Sequence, residues 1–582
     1  MSPETARSAA STPTTNSPLW IFPEAGEADA AAALARELRL PEAIGRVLLR
    51  RGYRDAASAL AFLNPRIADL HDPFLLRDMD GAVERIRTAI RGQESIEIHG
   101  DYDVDGVTST VVLKKALELA GAQCGWHIPH RLRDGYGMQP AAVDGAAERG
   151  VRLIISVDNG IRAEAAIRRA NELGIDVIVT DHHLPETDLP PALAIINPNR
   201  VDCSYPNPNL CGAGVAFKLA HAILLQVGWA EEKLYRVLES FLKLVAIATV
   251  ADIVPLTGEN RIIVKHGLSG LGQVRNPGLR ALLDAAGFQS RAPDATEVAF
   301  RIAPAINASG RMDSAGHAVR MFLTSDLSEA RTIAGELFAL NTERQTAERS
   351  IVNEILQRCL ETPVTDDDAA LVLWGEGWHR GVVGIVASRV VERYHRPVII
   401  LGVSEGVAQG SGRSIHAFHL LEALESMRDL FMKFGGHAHA AGLTLPAASL
   451  DSFRTRLQAF ARERLSPEDM RAVVEVDAEL GLSDINDGLW KALEQLAPFG
   501  MDNRQPLFGA RGVKLAGPPQ VWKEKHARFA VMQGKRTLLM KGWNMASLAS
   551  EFRGGDAVDV VFEVERDWMG GWGLTVKAIR AA

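Results

Sequence analysis

The sequence predicts an α/β protein: a parallel sheet covered by helices on both faces, then a smaller α/β region joined by a long helix, then a β-rich C-terminus. Three observations predict this. From about residue 75 to 260, short apolar runs alternate with amphipathic stretches, "SIEIHG", "STVVLKKALELAG", "VRLIISVDNG", "AEAAIRRANELG" and "IDVIVTDHH", the pattern of buried parallel strands with crossover helices. Residues 326 to 360 contain no proline and keep a helical apolar period, as one long helix able to span two domains would. The chain resumes strand and helix near 369 ("AALVLWGEGW") and ends in strand-like segments, "VVEVDAEL", "RFAVMQG", "RTLLMKGW", "AVDVVFEVE" and "WGLTVKAI".

At 582 residues the chain exceeds what one core holds, and domains of about 100–200 residues imply roughly three or four. The boundaries read as 1–18, a Ser/Thr/Pro/Ala-rich tail expected to be disordered; 19–74, helical; 75–275, the parallel-sheet domain; 276–362, the rest of that core with the long helix; 363–464, the second α/β region; and 465–582, the β-rich end. With 47% apolar and 23% charged residues the composition is that of a globular protein. No apolar run is long enough for a membrane span and no secretory leader is legible, so a cytoplasmic protein is expected. The four cysteines show no CxxC spacing, which fits a reducing compartment and excludes a structural zinc site of that type. A net charge of −8 gives no global sign of phosphate binding, yet Arg511 to Lys541 holds eight Lys or Arg against the single acid Glu524.

The stretch "IEIHGDYDVDG" places Asp101, Asp103 and Asp105 directly after an apolar run ending in His99. Loops at the C-terminal ends of parallel strands are where open α/β sheets hold ligands. Three further groups read as strand ends of the same kind: Asp158 after "VRLIISV", Asp181, His182 and His183 after "IDVIVT", and Asp252 after "LVAIATVA". Any one such aspartate serves equally well as a helix cap or turn residue. Together on one rim they would repel one another by several kcal/mol, and a bound cation is the simplest remedy. Carboxylates and imidazoles without thiolate favour Mn²⁺ or Mg²⁺, with Zn²⁺ or Fe²⁺ also compatible. The ligand count suits two ions sharing a carboxylate, an arrangement that hydrolyses phosphoesters or phosphoanhydrides.

In order, "HGDYDVDG", "SVDNG", "DHH" and "TVADIVPL" resemble the motifs of the DHH phosphoesterase superfamily; downstream, "PAINASGRMDSA", "GWHRGVVGIVASRV", "GSGRSIH" and "GGHAHAAG" resemble its RecJ branch, the single-strand-specific 5′-to-3′ exonucleases. The resemblance runs from about residue 40 to the end. It implies a DHH domain, a connecting helix, a DHH-associated domain and a terminal OB fold. "PFGMDNRQPLF" matches its counterpart loosely.

Carried over by motif, the resemblance makes Asp103, Asp105, Asp158, His182 and Asp252 metal ligands, with Asp158 bridging. His99 becomes an additional or supporting ligand, His183 a contact to the scissile phosphate or a support of the metal site, and Asp101 a weaker candidate. Arg131 and Tyr136 in "PHRLRDGYG", with Ser411 and Arg413, fall on the nucleic-acid side. There Arg131, Ser411 and Arg413 would form a 5′-phosphate pocket. Asn307, Arg311 and His437 would lie across the scissile bond. In the basic C-terminal region, Trp522, Phe529 and Trp543 are candidate stacking surfaces. The implied activity is two-metal hydrolysis of single-stranded DNA from its 5′ end, in DNA repair and recombination. The implied partners are a single-strand-binding protein and a RecQ-type helicase, and the chain is expected to be monomeric. Two alternatives stay open: a DHH phosphoesterase of oligonucleotides, cyclic dinucleotides or pyrophosphate, and a non-catalytic DNA-binding scaffold.

Overall fold

The computed structural model describes the chain apart from residues 1–17, 24, 131–134, 136, 313–314 and 568–569, and describes no side chain at 25, 311 and 312. Two compact units emerge, Pro23–Asn341 with Asp477–Ala582, and Met1–Phe22 with Thr342–Val476.

The larger unit is organised by a five-stranded, wholly parallel sheet of β1 (Ser95–His99), β2 (Cys124–His127), β3 (Val151–Val157), β4 (Asp176–Thr180) and β5 (Ala194–Ile196), in the order β2-β1-β3-β4-β5. Successive residues of β3 enter opposite cores. Leu153, Ile155 and Val157 pack beneath α1 (Val104–Leu119), α2 (Gly212–Leu225) and α3 (Glu231–Ala251), while Ile154 packs with Val143, Ile167 and Val177 on the other face. Burial on both faces is why these strands read as unbroken apolar runs. Next come α4 (Gly258–Gly270) and α5 (Ala303–Met312), the latter entered through a π-helical turn at Val298–Ile302.

The proline-free stretch is a single helix, α6 (Leu327–Glu361), which belongs to both units. In the smaller unit, β6 (Leu371–Glu376), α7 (Val383–Tyr394), β7 (Val398–Ser404), β8 (Val407–Arg413), β9 (Lys433–Gly436) and β10 (Ala440–Pro446) form a five-stranded sheet in which only the β6–β7 pair is parallel. The C-terminal strands β11 (Phe508–Leu515), β12 (His526–Gln533), β13 (Arg536–Gly542), β14 (Ala557–Arg566) and β15 (Trp572–Ala581) close into a barrel. They pair in the circle β11-β14-β15-β13-β12, and β12 returns to β11 through Lys514↔Met532.

Helices Ala28–Leu38, Glu42–Arg50 and Ala56–Leu63 share a core with this barrel, Ile44, Leu48 and Phe62 packing in one cluster with Leu489, Phe508 and Phe562. Arg261 of α4 fastens the assembly to the parallel-sheet half. Its buried guanidinium donates to the carbonyls of Phe62 (2.6 Å), Leu496 (2.9 Å), Gln495 (3.0 Å) and Ala497 (3.0 Å) and lies 3.7 Å from the centre of the Phe62 ring. These carbonyls include the ones left unpaired at the end of helix Asp487–Leu496. Burial holds the Arg261 pKa down to about 10.

A second buried network ties the His71 loop, which precedes helix Met79–Arg91, to α2 and α4. Lys218 and Glu259 form an ion pair; Lys218 also donates to the His71 carbonyl (2.7 Å), and Glu259 accepts from the Tyr205 hydroxyl (2.7 Å) and the His71 N–H (3.0 Å). Three residues past Lys218, the buried Nδ1 of His221 has no hydrogen-bond partner among the described residues. Burial, reinforced by Lys218, lowers its pKa to about 4. Between pH 6.5 and about 4 the unfolded chain therefore takes up a proton at His221 that the folded chain refuses, and stability falls as the pH falls. The variant His221→Phe lacks this loss: its melting temperature relative to the parent, followed by calorimetry, should rise as the pH drops from 6.5 to about 4 and stay level above about 7.

Candidate functional site

The strand order reverses direction between β1 and β3, and such switch points are where open α/β sheets leave a crevice beyond the strand ends. The acidic groups lie there. Asp101, Asp103 and Asp105 follow β1, Asp158 follows β3 and His182 follows β4. The first loop folds back on the opening turn of α1 so tightly that a Cβ on Gly106 would fall 2.5 Å from the Asp101 backbone, which accounts for the glycine ending "DYDVDG". Asp103 is the N-cap of α1, its Oδ1 accepting from the N–H groups of Asp105 (3.0 Å) and Gly106 (3.1 Å).

Asp105 is gripped from outside its own motif. Its two oxygens accept from Gly212 N–H (2.6 Å) and Ala213 N–H (2.7 Å), the first amides of α2, so the helix dipole stabilises the carboxylate. Gly212 has no room for a side chain, since a Cβ would sit 2.5 Å from Asp158 Oδ1. Asp158 has φ 60°, a left-handed conformation uncommon for non-glycine residues but open to aspartate. His182 joins the groups: its Nε2 lies 3.3 Å from Asp158 and 3.8 Å from Asp105, and its Nδ1 3.8 Å from Asp252.

Three overlapping sets of donor atoms result, Asp101–Asp103–Asp158, Asp105–His182–Asp252 and Asp158–His182–His183, with the atoms of each set within 4.8 Å of one another. Burial, then Asp105, Asp103, Asp101 and Asp252, push the Asp158 carboxyl well above its usual range. Burial, Asp105 and Asp103 raise Asp252 to about 9. Asp103 is raised by burial and Asp105. Carboxylates so crowded hold protons until a cation replaces them, and these residues therefore fit divalent ions held by oxygen and imidazole donors. The adjoining Cys211 stays a thiol. Burial and the neighbouring carboxylates raise its pKa, and its sulfur lies 3.6 Å from the Thr249 hydroxyl.

Two carboxylates act through neighbouring histidines. Asp181 accepts from the N–H groups of Ile161 (2.9 Å), His182 (2.8 Å) and His183 (3.1 Å) and lies 2.7 Å from His183 Nδ1. Burial works to raise its pKa, and these partners outweigh it and hold it low. Asp181 thus shapes the "DHH" turn. Glu97, two residues before His99 on the same side of β1, lies 2.8 Å from His99 Nε2 and accepts a forked pair from Arg149 (2.8 and 3.0 Å). The buried Nδ1 of His99 has no hydrogen-bond partner among the described residues. His99 is outside the three donor sets, which makes it the histidine the geometry leaves at the edge of the centre.

Residues 95–249 match the DHH family, N-terminal domain; 367–463 match the DHHA1 domain; and 476–577 match the RecJ OB domain. The single-stranded-DNA-specific exonuclease RecJ of Bacillus subtilis is 38% identical over 544 residues, 93% of this chain and 68% of its own length. Its namesake from Escherichia coli is 39% identical over 497 residues, 83% of this chain and 85% of its own. The chain belongs to the RecJ family. The crystal structure of RecJ from Thermus thermophilus in complex with Mn²⁺ superposes with a TM-score of 0.82 at 30% identity, covering 97% of this chain and 80% of that one, and the Mg²⁺ complex gives 0.76 at 28%.

Within this RecJ chain the remaining site residues divide between the units. Asn307 accepts from Val104 N–H (3.0 Å), and a Cβ on Gly310 would meet the Tyr102 carbonyl at 2.4 Å, so α5 braces the aspartate loop through the residue the sequence had placed beside DNA. In the smaller unit, Ser411 and Arg413 converge on Gly384 at the start of α7, whose Cβ would lie 3.4 Å from Ser411 Oγ and 3.2 Å from Arg413 Nη2. Burial holds the Arg413 pKa below its usual value. His437 is exposed in the turn between β9 and β10. Arg131 and Tyr136, and the side chain of Arg311, lie outside what is described.

Two readings need correction. Asp252 ends the helix α3 and follows no strand: "LVAIATVA" is its last two turns, apolar but for Thr249 because α1, α2 and α4 enclose it. Phe529 is fully buried in the barrel and offers no stacking face. Trp522 and Trp543 do remain accessible, with ring centres 5.4 Å apart; His526 stands 4.9 Å from Trp543, and Lys523 and Arg528 each lie 5.1 Å from the Trp522 ring.

Sequence reading missed the Gly212 and Ala213 amides, whose only signal was the "CGAG" opening a helix, and the Glu97–Arg149 clamp, which nothing local signals. If the clamp orients His99 toward the ions, Glu97→Gln should weaken Mn²⁺ binding about 10–100-fold by calorimetric titration. The melting temperature of the metal-free protein should shift far less than that of the Mn²⁺-loaded protein.

Proposed function

We propose that this chain hydrolyses single-stranded DNA from its 5′ end, using two Mn²⁺ or Mg²⁺ ions held by Asp101, Asp103, Asp105, Asp158, His182 and Asp252. The observation that carries this reading is that Asp158 and His182 each belong to two of three donor sets in which burial and crowding raise the Asp158 and Asp252 carboxyls. Bound in pairs, such ions supply Lewis acidity toward water and toward phosphoryl oxygens. The protein supplies position: the α2 amides and the Asp103 cap hold the carboxylates in place, and Asp181 fixes the tautomer of His183, which we place against the scissile phosphate.

Arg413 and Ser411 at the start of α7 suit the terminal phosphate, a forked donor and a hydroxyl beside helix amides. We place Arg131 with them, and Tyr136, Arg311 and His437 along the strand. The Trp522–Trp543 pair with Lys523 and Arg528 suits the bases and backbone of a single strand. On this reading the enzyme works as a cytoplasmic monomer in DNA repair and recombination, with a single-strand-binding protein and a RecQ-type helicase as partners. No helix among the described residues is long and apolar enough to cross a membrane.

End-labelled single strands and blunt duplex incubated with Mn²⁺ test the proposal. Mononucleotides released from the 5′ end of single strands, and lost on Asp158→Ala, are expected. Hydrolysis confined to dinucleotides, cyclic dinucleotides or pyrophosphate would overturn the substrate, and equal DNA turnover by Asp158→Ala would overturn the centre.

A further inference from the structure

Helix α3 is capped at its C-terminus by Asp252, and the residue that follows, Ile253, has φ 58°, in the left-handed region. The position just past a helix cap often takes that conformation, and glycine or asparagine usually fills it. The left-handed backbone crowds Cβ against the following carbonyl oxygen, most severely when Cβ is branched. Of the described non-glycine residues with positive φ, Ile253 alone is β-branched. Such strain persists where the surroundings enforce it. Here the chain is pinned on both sides: the Asp252 N–H donates to the Ala248 carbonyl (2.9 Å), Asn260 donates to the Pro255 carbonyl (3.1 Å), and the Leu256 N–H donates to the Met501 carbonyl (2.9 Å).

Neither the backbone nor the core accounts for an isoleucine at this point. Glycine or asparagine would carry the chain through the same turn at lower cost and leave Asp252 where it is. Val254 packs against the core and Leu256 is buried, whereas Ile253 is 65% exposed. Its place beside the ion ligands sets it apart. Its Cα is about 3.8 Å from that of Asp252. Asp252 and His183 are the donors most open to solvent, their side chains 27% and 41% exposed, while Asp105 and Asp158 are buried. A bare apolar side chain, held rigidly, therefore borders the opening of the centre.

We propose that Ile253 is a substrate contact: its branched side chain packs against the face of the nucleobase next to the scissile phosphate while the ions hold the phosphate itself. This deepens the reading of the chain as a single-strand exonuclease and rests on it. The bases of a single strand present faces that no partner strand covers, and every base has one, so the contact tolerates any sequence. A β-branched side chain on a pinned backbone has little freedom left to lose when a base settles on it. Covering it also recovers apolar burial that the free protein forgoes.

The test compares Ile253→Asn and Ile253→Gly with the conservative Ile253→Val, all in the full chain. The metal-free melting temperature should rise for Asn and Gly, which relieve the strain, and stay near the parent's for Val. Mn²⁺ affinity by calorimetric titration should be the parent's in all three. On oligothymidylate, KM should rise about tenfold for Asn and Gly with kcat little changed, and Val should keep the parent KM. On a strand of abasic tetrahydrofuran units, which offers no base to meet, the parent KM should already be raised and the substitutions should add little to it. Failure of the parent to cleave either strand would overturn the exonuclease reading and this contact with it. With an active parent, a KM unmoved by Asn and Gly, a loss of Mn²⁺ affinity in step with turnover, or the same tenfold rise on the abasic strand would each overturn the contact alone.

Discussion

Repulsion among Asp101, Asp103, Asp105, Asp158 and Asp252 is the constraint on which the larger unit depends. At separations of about 4 Å and an effective dielectric of about 20, each pair of ionised carboxylates costs on the order of 4 kcal/mol. The fold brings them together nonetheless and offsets part of the cost with partial charges: two amides of α2 on Asp105, two amides of α1 on Asp103, and the His182 ring among the rest. Divalent ions bound there would offset more of it. The sheet order puts β1 and β3 side by side at the switch point, α2 starts where Asp105 needs a helix N-terminus, and α5 closes over the aspartate loop.

The parallel sheet, the long helix and the β-rich C-terminus were legible in the sequence because each rests on a local periodicity; closure of the last into a barrel came only with the family resemblance. The residues of the candidate donor sets were legible too, since most fall in short motifs. What escaped depends on pairings that no local pattern encodes. Glu97 and Arg149 are 52 positions apart and meet through the packing of a helix end against β1. Asp252 was placed after a strand because a helix buried on nearly every side loses its polar stripe and reads as a short apolar run. Phe529 and Trp522 looked alike as aromatics among basic residues; only the inward–outward alternation along β12, and the position of Trp522 in the hairpin leading into it, separate a core ring from an accessible one.

Buried contacts also join the parallel-sheet half of the larger unit to the barrel. Arg261 satisfies backbone carbonyls from both the N-terminal helices and the helix preceding the barrel. Arg51 adds its own bonds to the Asn503 side chain and the Arg504 carbonyl. Burying an arginine such as Arg261 is costly unless its donors are occupied, and here they are spent on carbonyls that helix and turn ends leave open.

The most direct test of the central claim is electron paramagnetic resonance of the protein titrated with Mn²⁺. The account predicts two ions per chain whose spectra show the exchange and dipolar coupling of a pair sharing a ligand, and loss of that coupling when Asp158 is replaced by Asn. A single uncoupled ion at saturation, or a coupled pair unaffected at Asp158, would contradict it.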